Sequence, residues 1–120
     1  MLRVDGDGQI IDLAIDHISN IEVFDLTGAT ATNGVGVTGL NTITLSAADV
    51  ITETGGTNNN TITILGDGND IVHLTGGFTA GPTPLAADPT HFCIYTATVA
   101  SQTVNVIVST AIDVTHITHT

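Results

Sequence analysis

The chain has 120 residues and a strongly one-sided charge, with 12 Asp and Glu residues, one basic residue and a formal net charge of -11. This length predicts one domain spanning residues 1–120. Because Arg3 is the only Lys or Arg, the sequence excludes nucleic-acid binding through phosphates and attraction to an anionic membrane surface. A single cysteine, Cys93, excludes an intrachain disulfide, and no apolar run is long enough for membrane insertion.

The residue composition predicts an all-β protein. Thr, Ile and Val dominate, and these residues suit the pleated, half-buried surface of a sheet. Aromatic residues make up only 3% of the chain, so the core must consist of small aliphatic side chains. Such a core favours thin, regularly stacked layers.

Short strands are predicted along the whole chain, and most of them end at glycine-rich turns. Ser46 with Asp49 three residues later predicts one short helical turn that Ser46 caps. The segment 75–90 contains all three prolines and is predicted to be a long surface connection. In chain order, the predicted strands are 2–4, 10–13, 20–27, 41–45, 60–65, 71–74, 91–99, 103–108 and 112–117, with 91–99 and 103–108 forming a hairpin across Ala100-Ser101-Gln102.

An internal repeat gives the first indication of architecture. The segments 41–45 (NTITL) and 60–64 (NTITI) are nearly identical. A period near 20 residues with one short strand per repeat is typical of a solenoid. The sequence therefore predicts a β-solenoid-like N-terminal two-thirds, with Ile43 stacked on Ile62, followed by a C-terminal antiparallel hairpin. The alternative is a two-sheet β-sandwich.

A glycine-rich turn carries the clearest chemistry. Residues 65–73 (LGDGNDIVH) match the calcium-binding nonapeptide G-G-x-G-x-D-x-U-x at four positions, although Leu65 replaces the first glycine. Calcium takes six to eight oxygen ligands at about 2.3–2.6 Å, and this turn offers carboxylate, amide and carbonyl oxygens. The predicted calcium ligands are Asp67, Asn69 and Asp70, with Asp5 and Asp7 in a looser copy of the motif at 5–11. The alternative is an ordinary Asp-Gly hairpin turn.

Three segments together resemble modules of very large RTX-type bacterial surface adhesins. These segments are 18–28 (ISNIEVFDLTG), 41–50 (NTITLSAADV) and 66–70 (GDGND), and residues 91–96 occupy the place of the C-terminal hairpin of such modules. The resemblance covers roughly residues 1–110. It implies an extracellular, calcium-binding, non-enzymatic module exported by type I secretion, whose signal is C-terminal and uncleaved. The chain departs from that pattern in having a single glycine-rich turn and expanded loops at 29–39 and 76–90.

The function that follows is a non-enzymatic structural or adhesive module of a secreted, calcium-dependent protein at the bacterial cell surface. Its expected partners are neighbouring modules of a larger protein or other copies of itself, with a glycan or other surface ligand as a further candidate. The alternatives are a self-assembling, surface-layer-like subunit, or a module that binds sugar, peptide or ice. The ice-binding alternative rests on a T-x-T array of Thr42, Thr44, Thr61 and Thr63.

An enzyme is not expected. The sequence contains no G-x-S-x-G or H-E-x-x-H motif, and carboxylate pairs are expected by chance in so acidic a chain. Cys93 lies inside a predicted strand, so it is expected to be a buried structural thiol and not a nucleophile.

Overall fold

The computed structural model of the protein describes residues 1–5, 8–13, 21–28, 40–55 and 60–120. Most of these residues form β-strands, with one α-helix, as the composition predicted. In chain order, the elements are β1 (Leu2–Asp5), β2 (Ile10–Asp12), β3 (Val23–Gly28), β4 (Thr42–Ser46), α1 (Ala47–Thr54), β5 (Thr61–Leu65), β6 (Ile71–Thr75), β7 (Ala80–Pro84), β8 (Phe92–Val99), β9 (Gln102–Ser109), a 3-10 helix (Val114–His116) and β10 (Ile117–His119).

The strands form two sheets. The six-stranded sheet has the order β1-β3-β5-β9-β8-β7, and the four-stranded sheet has the order β10-β6-β4-β2. All pairs in the four-stranded sheet are parallel, as are β1-β3, β3-β5 and β5-β9. The pairs β9-β8 and β8-β7 are antiparallel. From β1 to β6, consecutive strands therefore alternate between the two sheets.

In-register apolar columns build the core. In the four-stranded sheet, Ile43 pairs with Ile11 on one side and with Val72 on the other. In the six-stranded sheet, Ile64 pairs with Phe24 and Val108. These side chains are buried, while their chain neighbours face outward, because successive residues of a strand point to opposite faces. Burial of each column therefore stabilises the fold by about 25 cal/mol for each Å² of apolar surface removed from water.

The helix α1 begins as the sequence predicted and continues to Thr54. The Ser46 side chain accepts a hydrogen bond from the Asp49 N–H, and the Asp49 carboxylate accepts one from the Ser46 N–H, which completes a capping box. Gly55 ends the helix in the left-handed conformation, at φ 59. The buried face of α1 includes Ala47 and Val50.

The predicted stacking of the two NTIT segments is wrong. Their strands, β4 and β5, lie in different sheets, so Ile43 does not pair with Ile62, whose partner is Val106. The reason is that consecutive strands alternate between the two sheets, so the strand that pairs with β4 one turn later is β6 and not β5. The outward threonines of β4 and β5 consequently lie on opposite sides of the molecule, and the predicted single T-x-T array is not formed.

In the C-terminal third, the hairpin was predicted correctly, whereas the segments before and after it differ from the prediction. Strands β8 and β9 form the predicted antiparallel pair, with Ala100 and Ser101 at positive φ (49 and 68) in the turn. The predicted connection at 75–90 contains β7, whose prolines are tolerated because β7 is an edge strand. In the predicted strand 112–117, residues 114–116 instead form a 3-10 helix, since the Asp113 side chain accepts a hydrogen bond from the Thr115 N–H and caps it; the strand β10 begins only at Ile117.

Candidate metal turn and polar ladder

The glycine-rich turn 66–70 connects β5 of the six-stranded sheet to β6 of the four-stranded sheet. The other predicted calcium turn connects β1 to β2 in the same way; Asp5 ends β1, and Asp7 lies outside the described residues. Strand β4 lies between β2 and β6, which places these two strands about 10 Å apart. The strands that follow the two Asp-Gly motifs are therefore not adjacent.

Asp70 is fully buried and closes the turn from inside. Its Oδ2 accepts a hydrogen bond from the Asp67 N–H at 2.8 Å, and its Oδ1 accepts one from the Asn41 N–H at 3.0 Å. Burial raises the pKa of the Asp70 carboxyl, against the opposing effect of these two hydrogen bonds, and the nearby Asp67 and Asp25 carboxylates raise it further. Asp70 thus connects its own turn to the neighbouring strand.

Asn41 continues this connection across the sheet. It is buried; its Oδ1 accepts from the Gln9 N–H at 3.0 Å, and its Nδ2 donates to the Leu26 carbonyl at 3.1 Å. The strand register places residues 9, 41 and 70 at equivalent positions, each just before β2, β4 or β6. We call Gln9, Asn41 and Asp70 the polar ladder. Sequence analysis missed it, although Asn41 and Asp70 each directly precede a strand of β-branched residues.

The two turn glycines have different roles. A Cβ on Gly66 would lie 2.8 Å from Asp70 Oδ2 and 2.7 Å from Ile112 Cδ1, so this position has no space for a side chain. A Cβ on Gly68 would have only the Ala111 carbonyl oxygen nearby, at 4.0 Å. Gly66 is therefore required by the packing around Asp70, whereas Gly68 is not.

The outward side of the turn carries the remaining predicted ligands. Asp67 is half-buried and its Oδ1 accepts from the Asn69 N–H at 3.3 Å, while Asn69 is exposed. Within the described residues, no group of three or more His, Cys, Asp or Glu side chains is placed to hold a metal ion. A calcium ion here would need backbone carbonyls and water for most of its six to eight oxygen ligands.

A second buried carboxylate lies on α1. Glu53 is 2% exposed, and its Oε2 has no hydrogen-bond partner in the described part of the chain. Burial raises the pKa of Glu53, the Ile21 backbone hydrogen bond lowers it, and the Asp49 and Glu22 carboxylates raise it. Glu53 is thus a buried acid with a poorly compensated charge.

Cys93 has the environment of a structural thiol. It is half-buried, and its Sγ lies 3.6 Å from the Val108 carbonyl oxygen, to which it donates. Burial raises the pKa of the thiol, which keeps it protonated at neutral pH and poorly nucleophilic.

Comparison with known proteins adds no relative: no family model matches the chain, and no curated protein or solved structure gives a significant match. Among the residues that the structure describes, no helix has the length and apolar character needed to cross a membrane.

Proposed function

We propose that the chain is a non-enzymatic structural module of a secreted, calcium-dependent bacterial surface protein, wound as a short β-solenoid. The observation that carries the proposal is the alternation of β1 to β6 between two sheets in which these strands pair in parallel, with an Asp-Gly turn and the polar ladder where β2, β4 and β6 begin. An array of this kind is extended by adding further turns, which suits a spacer or adhesive module whose partners are neighbouring modules or copies of itself.

The strand pairing supports the proposed solenoid. Each strand pair β1/β2, β3/β4 and β5/β6 makes one turn, and each strand pairs with the strand one turn later, as β1 does with β3 and β2 with β4. Strands β9 and β10 add a fourth pair in the same parallel manner. The antiparallel strands β8 and β7 then end the six-stranded sheet, and the prolines of β7 protect its edge from further pairing.

Calcium is proposed to bind the outward side of the turn 66–70. Asp67 and Asn69 would supply side-chain oxygens, and the turn backbone would supply carbonyls. The Asp70 oxygens already accept two backbone N–H bonds, so we propose that Asp70 supports the turn and contributes only a remaining lone pair. With so few charged ligands, the affinity is expected in the range of extracellular modules, about 0.1–1 mM.

The acidity of the chain links calcium to stability. A net charge of -11 opposes compact folding through self-repulsion, so a bound cation stabilises the folded state. At one to ten times the dissociation constant, which is the range that about 1 mM calcium reaches, mass action adds about 0.4–1.4 kcal/mol. A module of this type stays loose at low intracellular calcium and becomes rigid outside the cell.

The test is the melting temperature in EDTA and in millimolar calcium, for the wild type, Asp67→Ala and the charge-matched control Asp88→Ala. Asp88 lies outside the turn, where its carboxylate contacts His91 Nδ1 at 2.9 Å. We expect calcium to raise the wild-type melting temperature by several degrees, and this shift to vanish in Asp67→Ala and persist in Asp88→Ala. An absent wild-type shift, or equal loss in both variants, would contradict the proposal.

A further inference from the structure

A cleft of about 360 Å³ lies where the six-stranded sheet extends beyond the four-stranded sheet. The six-stranded sheet continues past β9 with β8 and β7, whereas the four-stranded sheet ends at β10. The inner face of β8 and β7 therefore extends beyond the facing sheet, and the segment 110–117 covers it only in part. The cleft is the space that remains between this face and that segment.

The walls of the cleft are mostly apolar. Pro84, Phe92 and Ile112 contribute to it from three different segments, and Val114, which is 59% exposed, stands at its opening. An open apolar cavity of this volume is within the range of small-molecule sites, which are typically about 300–1,000 Å³. The cleft also includes part of the 76–90 segment that sequence analysis identified as expanded.

The charge at the cleft has one sign. Asp113 is the carboxylate in its lining, and both hydrogen bonds that it accepts from Thr115, from the backbone N–H and from Oγ1, use Asp113 Oδ1. Its Oδ2 therefore remains available to a ligand. The only Lys or Arg of the chain, Arg3, is absent from the lining, and the basic group that acts on Asp113 is His116, which is uncharged when its imidazole is neutral.

We propose that this cleft binds a small organic cation with an apolar body, such as a hydrophobic amine. The apolar part lies against Phe92 and Ile112, and the ammonium group pairs with Asp113 Oδ2 at the opening. The net charge of -11 raises the local concentration of cations and disfavours carboxylates of the same shape. This site uses none of the proposed calcium ligands, although one of its wall residues, Ile112, packs against Gly66 of the turn 66–70.

The test uses three probes that differ only in their head group: 4-phenylbutylamine, 4-phenylbutan-1-ol and 4-phenylbutyrate, titrated by isothermal calorimetry at neutral pH and low salt. We expect the amine to bind with a dissociation constant at or below about 1 mM, on the scale of a ligand of this size. The amine should bind about fivefold more tightly than the alcohol, because an exposed ion pair contributes about this much to affinity. The butyrate should bind least. Equal affinities, or no binding of the amine, would overturn the proposal.

Two variant pairs locate the site. Asp113→Asn should abolish the preference for the amine over the alcohol, whereas Glu22→Gln, an equal charge change on the other side of the fold, should preserve it. Val114→Trp should block the cleft and reduce amine binding at least tenfold. The control Thr98→Trp places the same bulk at an exposed position of β8 and should leave amine binding unchanged. Unchanged binding in Val114→Trp would place the amine elsewhere and refute the assignment, provided that the melting temperatures show all variants to be folded.

Discussion

The parallel region, β1 to β6, and the antiparallel region, β7 to β9, are held together in different ways. Strands of the parallel region have three to six residues and come from distant parts of the chain; buried columns and the polar ladder hold them. Strands β8 and β9 have eight residues each and are joined by the tight turn at Ala100 and Ser101. Local sequence is therefore enough to specify the hairpin, whereas the parallel region depends on side chains that connect one turn to the next.

The largest expected effect comes from breaking an apolar column of the parallel region. Ile43→Ala should lower the free energy of unfolding by about 2–5 kcal/mol, because it leaves a cavity between Ile11 and Val72. The control is Ile107→Ala in β9, whose side chain is only half-buried on the outer face. Urea unfolding should show a clearly smaller loss there; equal losses would mean that Ile43 does not lie in a core column.

Breaking the polar ladder is expected to have the next largest effect. Asp70→Ala leaves the N–H groups of Asn41 and Asp67 without acceptors, which should cost about 1–3 kcal/mol. The structural part of this loss should already be present in EDTA, and the loss should be larger in calcium because Asp70 also supports the calcium turn. Asp67→Ala should instead cost little in EDTA. A stability of Asp70→Ala equal to wild type would show that the ladder does not connect the strands.

The two turn glycines offer a matched comparison within one motif. Gly66→Ala forces a Cβ against Asp70 and Ile112, and overpacking of this kind costs about 1–3 kcal/mol. Gly68→Ala has space and should stay within about 0.5 kcal/mol of wild type. Thermal unfolding of both variants checks this, and similar melting temperatures would mean that backbone flexibility, not packing, selects both glycines.

The smallest effect is a pH dependence that arises in the parallel region. Because the folded-state pKa values of Asp70 and Glu53 are raised, the folded protein binds protons more tightly than the unfolded chain does. Stability should therefore rise as the pH falls from 7 through the folded pKa values towards about 4, the ordinary value of these acids. The lowered pKa of Asp113, held by its Thr115 hydrogen bonds, acts in the opposite sense below that pH.

Glu53→Gln is the variant that isolates this effect. It removes a buried charge whose Oε2 has no partner in the described residues, so the gain in stability between pH 7 and pH 5 should shrink. The control is Asp88→Asn, a half-buried carboxylate outside α1, because the Glu22 carboxylate itself raises the pKa of Glu53. Calorimetry across this pH range measures the gain in stability. If Glu53→Gln gains as much as the wild type, the pH dependence of stability arises from the overall charge and not from Glu53.

Sequence patterns predicted the elements whose determinants are local. The Ser46–Asp49 capping box, the hairpin 92–109 and the turn at 66–70 all depend on neighbours a few residues apart. Sequence could not show which sheet each NTIT segment would join, because one turn of the chain takes two strands and the period of the repeat does not show this. It also did not give the partners of Asn41, whose hydrogen bonds reach Gln9 and Leu26, or the pairing of β7, which depends on β8.

A calcium titration, monitored by the backbone amide chemical shifts, tests directly whether calcium stabilises the outward side of the turn beside the polar ladder. We expect saturable shifts concentrated at Asp67, Gly68 and Asn69, with smaller shifts at Asp70 and Asn41, because these are connected to the turn by hydrogen bonds. Small, unsaturable shifts spread over all the carboxylates of the chain would contradict this expectation, since they would show screening without a site.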